Sequence, residues 1–568
     1  MAYMTHKKIK GITYYYAEEC GRINGKVKRL WQKYLGNIEK IIAAIESPIK
    51  KPKYAEIFHL GNPAACLNTV EIFNMIRIID SVLPKRSQGL SIGFYLILAA
   101  VNRCIEATSK HSMWKWFKNT ILLRAFPHVT KESLSSQRFW DNLAKIKQSQ
   151  LHCAWMKLVH SIVERENIDL STTSFDGTNF YTFLSTFNTH CSLAKNGKNK
   201  QGRSNLRQVN YALFCTRKEH FPLYFDVFEG NKNDTKIFGD IIERFFEEFK
   251  HIKPDRKGMT IVFDKGNNSK KNIQKFVNNS GFHFVCSVKL GEHKELAEIS
   301  NNDECFTDMD EPQLENIKAF RTKKKIYGKK FTTVVTFNDK LYRAQIRTIN
   351  TDISKCLVKL SALSTKLMDR YTGKITKGKP PTFASVEKQV ASILKRQFMK
   401  NIIKKNIKQY GNIPLLSYWQ DSKKYAKIAD TYLGKKIIIT DNHTWSTKEI
   451  IRTYHSQYII EHAFRKMKDR KSGSWWPMFL WTDNMIRVHG FYCSLSLLIW
   501  ALINKKVKEA KIEISSTALY EKLKRIKEVL NVYPKQGKKQ YNQSVVSNMD
   551  ETQLKIFDIF NMNNYLSS

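Results

Sequence analysis

A chain of 568 residues with 95 Lys and Arg against 51 Asp and Glu carries a formal charge of +44. That balance draws it to polyanions, nucleic acid first and an anionic membrane surface second, with strong salt dependence. A hydrophobic content of 42% excludes general disorder and leaves room for three or four cored domains. The opening MAYMTHKKIKGITYYY lacks an apolar run of signal-peptide length, and the 10 Cys include no Cys-x-x-Cys pair. These features point to a protein of the cell interior with reduced cysteines and neither a zinc ribbon nor a disulfide framework.

Residues 1–50 read as a small basic strand-rich region. An aromatic run, a turn at Ile23–Asn24–Gly25 and KVKRLWQKYL suggest a hairpin, and nine Lys/Arg face three acids over residues 1–40. Lys26 and Lys28 are candidates to meet phosphates, with a solvated face as the plain alternative. Ser47–Pro48 and Lys51–Pro52 mark a linker. Residues 55–165 show apolar positions at three- and four-residue spacings and form a helical domain. From residue 170 to 290 the pattern changes to strands around Phe175–Phe183, VNYALFC, PLYFDVFEG, TIVFD and FHFVCSV. A helix follows Asp234, its expected cap, so this part is an α/β layer.

Residues 291–440 read as a mostly β insertion with a hairpin at 329–349 turning near Asn338–Asp339. A strongly basic helix is expected at 385–410. Residues 441–505 return to the core: Ser446-x-x-Glu449 opens a helical region as a capping box. The apolar run 488–503 is short for a bilayer span and fits a buried helix. Residues 506–568 read as a basic helix and a polar tail.

Three acids stand out: Asp176 in SFDGTNF, Asp264 in VFDKGNN and Glu461 in YIIEHAFRKMK. Two-metal phosphoryl transfer needs carboxylates held close together, with ions about 3.5–4 Å apart. Mg²⁺ and Mn²⁺ prefer such oxygen ligands. Two strand ends and a neighbouring helix could supply them. The residues alone leave open that both Asp are ordinary turn or cap residues. Glu461, Arg465 and Lys468 stand at i, i+4 and i+7, one polar face of a helix whose opposite stripe is Ile460, Phe464 and Met467. Tyr454 and Gln457 precede Glu461 by seven and four residues and approach the same face. A charged Lys468 cannot ligate a metal but can hold a phosphate; a surface helix with a Glu–Arg pair is the plain alternative.

The ordered set GRINGKVKRLWQKYLG, NRCIEATSK, FDGTNF, EGNKND, VFDKGNNS and IIEHAFRKMK resembles insertion-sequence transposases of the DDE class, over about residues 10–500. In the group it resembles, a β-rich insertion separates the second Asp from the Glu. That group carries Tyr, two residues, Arg, three residues, Glu, six residues, Lys; here these are Tyr454, Gln457, Glu461 and Lys468. Gln457 replaces the Arg, which leaves the metal ligands intact but removes one expected phosphate or carboxylate contact, for which Arg465 is the candidate substitute. The resemblance implies a ribonuclease H-like core, Asp176, Asp264 and Glu461 as metal ligands, and Mg²⁺ as cofactor with Mn²⁺ able to substitute. It implies hydrolysis at transposon ends and attack of the freed 3′-OH on target DNA, with a hairpin intermediate in some relatives. The partners are then terminal inverted repeats and target DNA, bound by a homodimer in a bacterial cytoplasm, on chromosome or plasmid, with no membrane.

A basic loop at 194–208 with Lys195, Lys198, Lys200, Arg203 and Arg207 could clamp the backbone beside Asp176. Trp419 and Trp445 are candidates for an aromatic slot holding a flipped base. No phosphate-binding G-x-x-x-x-G-K-[ST] run occurs, and His462 points off the Glu461 face. The competing readings are a ribonuclease H-like nuclease that does not integrate, a domesticated DNA-binding protein, and an RNA-binding scaffold.

Overall fold

The computed structural model describes residues 2–23, 26–46, 51–84, 88–199, 201–203, 205–250, 258–470, 473–534 and 542–567. Asn24–Gly25, Ser47–Pro48 and Lys200 lie outside them. The strands are β1 (Tyr3–Ile9), β2 (Ile12–Ile23), β3 (Lys26–Asn37), β4 (Tyr54–His59), β5 (Thr172–Tyr181), β6 (Gln208–Thr216), β7 (Pro222–Glu229), β8 (Met259–Phe263) and β9 (Phe282–Val288). They continue as β10 (Thr307–Asp308), β11 (Ile317–Ile326), β12 (Lys329–Asn338), β13 (Ile403–Tyr410), β14 (Ile413–Gln420), β15 (Lys435–Thr440), β16 (Lys527–Val532) and β17 (Asn542–Val546).

The chain divides into two compact units. One comprises Met1–Gly61, Asn119–Ala125 and Thr517–Ser568. Its antiparallel sheet β1-β2-β3 matches the strand-rich expectation for the N-terminal region. A second sheet, β17-β16-β4, corrects two expectations. Residues 54–59 are a strand, not part of a helical domain, and 527–532 and 542–546 are strands, not a polar tail. Both segments are short, and their pairing joins positions hundreds of residues apart, beyond any local pattern. Glu528 is fully buried and is held there by Arg124, by Ser544 Oγ at 2.6 Å and by the Ser567 amide at 2.9 Å. Such a charge is tolerated only when paired and hydrogen-bonded.

The other unit holds Asn62–Lys118 and Phe126–Ser516. Its nine-stranded mixed sheet runs β10-β11-β12-β15-β9-β8-β5-β6-β7. β5, β8 and β9 are parallel, while β6 and β7 continue antiparallel from β5. The helix Ile92–Ile105, capped by Ser91 Oγ, is buried at every position. It packs with the helix Asp483–Glu509, which is long and apolar enough to cross a membrane but has 89% of its most apolar window buried. That helix serves as core, as its internal polar residues suggest.

Residues 291–440 differ from expectation. β11 and β12 do form a hairpin, but it turns at Tyr327–Gly328, both at positive φ, and β12 pairs with β15 to extend the large sheet. Asn338 and Asp339 do not turn a hairpin: Asn338 Oδ1 caps the 33-residue helix Asp339–Tyr371. The excursion from the sheet is therefore residues 339–434, and it is mostly helical, with the single hairpin β13-β14. The basic segment 385–410 divides into the helix Phe383–Ile393, a short helix Met399–Ile402 and β13. Phe398 takes a left-handed conformation between them, which a straight helix cannot contain. The excursion has its own core of Ile349, Ile353, Leu360, Val386, Val390 and Ile402.

Candidate active site

The centre is built on β5 and β8. Their parallel register pairs Thr172 with Thr260, Thr173 with Ile261 and Ser174 with Val262. Asp176 lies two residues beyond the last residue of β5 paired to β8, and Asp264 directly follows the end of β8. Phe175 turns the other way, into Phe214 and Phe238 at ring distances of 4.7 and 4.6 Å. Ser174, Asp176, Thr178 and Phe180 therefore share one face. Ser456, Lys468 and Trp475 meet that face: Ser174 Oγ lies 3.2 Å from Ser456 Oγ, and Lys468 Nζ donates to Thr178 Oγ1 at 2.6 Å. Trp475 stacks on Phe180 at 4.3 Å.

Each Asp is braced. Asp176 Oδ1 accepts from the Gly177 amide at 2.7 Å. Asp264 Oδ1 accepts from Ser287 Oγ at 3.1 Å and lies 3.2 Å from the Tyr454 hydroxyl. Burial, then the Asp264 carboxylate, pushes the Tyr454 phenol far above its ordinary value, so it stays a donor. Tyr454 is 4% exposed. Its hydroxyl faces Asp264 and Ser287 rather than solvent.

The expected continuous helix from Tyr454 to Lys468 is broken. One helix ends at His455 and the next is Tyr458–Lys468. Ser456 lies at the break, its Oγ bonding back to the Thr453 carbonyl at 2.6 Å. Tyr454 and Glu461 therefore do not share one helical face. Glu461 is exposed, and among the described residues no ion pair joins it to Arg465. Also among the described residues, no three His, Cys, Asp or Glu side chains are gathered tightly enough to hold a metal ion.

The basic residues distribute unevenly. Arg465 is exposed and Gln457 half-buried at the helix break. Arg203 lies over the Tyr181 ring at 5.0 Å. Arg207 is half-buried and donates to the carbonyls of Asn188 at 3.0 Å and Thr186 at 2.7 Å. Lys26 and Lys28 are exposed on β3, in the other unit. Trp419 is 53% exposed on β14, whereas Trp445 packs into a core. The cap of the helix Asp234–Lys250 is Asn233, whose carbonyl receives the Ile237 amide; Asp234 sits in the first turn.

The buried side of the helix Tyr458–Lys468 has a cost. The Lys466 ammonium lies 4.2 Å from the Trp500 ring centroid, and burial lowers its pKa from 10.5 to about 8, against the nearby thiols of Cys104 and Cys66. Below pH 8 the lysine is charged in both folded and unfolded chains, and the folded chain bears the full penalty. Between 8 and 10.5 only the unfolded chain keeps the proton, so stability rises with pH. Lys466→Met is expected to stabilise the chain at pH 7 by on the order of 2–3 kcal/mol, a gain that closes as the pH approaches 10.5. Denaturant titrations at pH 7 and pH 10 check this; equal gains at both would contradict it.

Sequence reasoning missed Ser287, Lys466 and the pair Trp475–Trp476. Only the Trp-Trp-Pro run carried a signal, as an unusual cluster of large rings beside the Glu461 helix.

The family model described as "Transposase DDE domain" matches residues 169–476. No curated protein matches the chain. A cryo-EM structure of piggyBac transposase in a synaptic complex with hairpin DNA is similar at a TM-score of 0.32 and 10% identity. The similarity spans 83% of this chain and 82% of that one, a likeness too slight to bear on mechanism.

Proposed function

The chain belongs to the DDE transposase domain family, and from that premise we propose that it cuts DNA at transposon ends and joins the freed 3′-OH to target DNA. The observation that carries the reading is the parallel pairing of β5, which bears Asp176, with β8, which Asp264 directly follows, together with the bond from Lys468 to Thr178 that ties the helix bearing Glu461 to β5. The core of the reaction is the sheet portion β7-β6-β5-β8-β9, an antiparallel trio continued by parallel strands, which is the order expected of a ribonuclease H-like fold. The helical excursion at 339–434 is the interruption between the second Asp and the Glu.

Asp176, Asp264 and Glu461 would hold Mg²⁺ or Mn²⁺. The chemistry of the donors suits a hard cation, since carboxylates present oxygen alone and that of Asp264 is braced by Ser287 and Tyr454, although the three are not gathered around one point in this structure. Bound there, the ion supplies Lewis-acid activation of the phosphodiester and its attacking oxygen. The chain's own residues do the rest. Tyr454 and Ser287 keep Asp264 oriented. Lys468 holds the scissile-strand phosphate beside Asp176 as a point charge. Arg203, Arg465 and Gln457 flank the strand, and Lys26 and Lys28 grip phosphates of the terminal repeat. The partners are duplex terminal inverted repeats and target DNA, engaged by two copies of the chain in a bacterial cytoplasm.

The second reading, a nuclease of the same core that does not integrate, uses the same carboxylates and differs only in product. Incubating the protein with a precut transposon end carrying a 3′-OH, a supercoiled plasmid and Mg²⁺ separates the two. Covalent joining of the end to the plasmid is the expected outcome. Nicking of both DNAs with no joined product would favour the nuclease.

A further inference from the structure

The segment Gly473–Pro477, just beyond the helix Tyr458–Lys468, is anchored to a cation far away in the chain. Arg103, at the end of the helix Ile92–Ile105, donates from Nη1 to the Trp476 carbonyl at 2.8 Å and from Nη2 to the Pro477 carbonyl at 3.0 Å. Its own carbonyl accepts from the Gly473 amide at 2.6 Å. Arg103 is 1% exposed, and its guanidinium lies 5.7 Å from the Tyr492 ring centroid. Both Nη groups are met by these carbonyls while the buried Nε has no partner, so the guanidinium is held at a net cost and a merely space-filling role would be better served by an apolar residue.

What Arg103 holds is a clasp between two elements. Trp475 stacks on Phe180 at 4.3 Å with the rings 3° from parallel, and Trp476 stacks on Tyr181 at 4.6 Å. Trp476 Nε1 donates to the Tyr181 carbonyl at 3.2 Å. Phe180 and Tyr181 are the last residues of β5, the strand of Asp176. On the other side, the Trp475 amide donates to the Met467 carbonyl at 2.8 Å, next to Lys468. His489 Nε2 lies 2.7 Å from the Trp475 carbonyl and completes the support. The clasp thus ties the end of the Asp176 strand to the end of the Glu461–Lys468 helix.

We propose that Arg103 is a positioning residue for DNA cleavage: by fixing the Gly473–Pro477 clasp it sets Glu461 and Lys468 against Asp176. The inference rests on the catalytic assignment made under the proposed function. It reaches a residue remote in sequence, in a helix with no part in the chemistry. A displacement of about 1 Å at a reacting centre can cost about 10²-fold in rate, which is the lever such a clasp controls.

The test uses the full chain with Arg103→Gln and Arg103→Lys. Three quantities are read: the single-turnover nicking rate at saturating transposon-end DNA, the Kd for that DNA, and the near-ultraviolet circular dichroism of the stacked tryptophans. For Arg103→Gln the rate is expected to fall about tenfold or more, with Kd within about twofold and the aromatic signal weakened. Arg103→Lys, which keeps the charge and can still reach one carbonyl, is expected to fall between. A wild-type rate overturns the proposal, and so does a rate loss that only tracks lost affinity or lost folded protein. Should Arg103→Gln fail to fold, Trp476→Leu removes the stack on Tyr181 with Arg103 intact and must show the same split between rate and affinity; an unaltered rate there overturns it equally. Asp176→Asn runs alongside: if it still cuts, the catalytic assignment fails, whatever the Arg103 variants do.

Discussion

Asp176→Asn and Asp264→Asn are each expected to lower strand cleavage by at least about 10³-fold while leaving affinity for transposon-end DNA within a few-fold. Asn keeps the shape and one carbonyl oxygen but removes the charge that a divalent cation requires. Neither change opens a cavity. Asp176 keeps an acceptor for the Gly177 amide, and Asp264 keeps one for Ser287 and Tyr454. A loss of cleavage therefore reports chemistry and not folding. Glu461→Gln is expected to behave alike, and more cleanly, because Glu461 is exposed and its replacement disturbs no packing. Because such groups act as a unit, the double variant Asp176→Asn/Asp264→Asn should be little worse than either single one. Gel assays of nicking and of DNA binding on the same preparations check these outcomes. Substantial cutting by either Asp variant would remove that residue from the centre.

Lys468→Ala is expected to cut about 10²-fold more slowly even when DNA is saturating. Lys468 Nζ sits 2.6 Å from Thr178 Oγ1, two residues along β5 from Asp176 and on the same face. Its charge also lies 5.9 Å from the Phe180 ring centroid, so its stem is held by the aromatic floor of the site. A phosphate placed beside Asp176 would meet this ammonium directly. Among the 95 Lys and Arg of the chain, an ordinary exposed lysine contributes only to the general field. Its removal lowers the salt slope of binding by about 1 and leaves the rate at saturation intact. Nicking rates measured across salt and DNA concentrations separate the two behaviours. A Lys468→Ala protein that regains full rate at saturation would reduce Lys468 to that background.

How much of this was legible in the sequence follows from how local each signal is. The runs TTSF, ALFC and TIVF are short, apolar and bounded, so the strands flanking Asp176 and Asp264 could be read from a few residues each. Their parallel pairing could not, because register between β5 and β8 is set by the whole sheet. The helix around Glu461 was read correctly from its apolar stripe. Its extension back to Tyr454 was not, because the residues at the break, Ser456 and Gln457, include no Gly or Pro to mark it. Strand β12 was placed in an insertion because the hairpin it forms with β11 looks the same whether it stands alone or joins a larger sheet. The pairing with β15, about a hundred residues on, decides the matter. The tail beyond 506 carried no visible periodicity, since β16 gains its place only by pairing with β4 near the other end of the chain. Arg103 looked like one more cation in a helix of a basic protein; its meaning depends on carbonyls more than 370 residues away.

The central claim is that Asp176, Asp264 and Glu461 form one metal centre, and it is tested most directly by locating the ion. A crystal of the protein with transposon-end DNA, soaked in Mn²⁺ and measured for anomalous scattering, gives that position without reference to activity. The account predicts an anomalous peak between β5 and β8 with a carboxylate oxygen of Asp176, Asp264 and Glu461 each within about 2.0–2.4 Å. A peak elsewhere, or one bound by the two Asp while Glu461 still faces solvent with DNA in place, would contradict it.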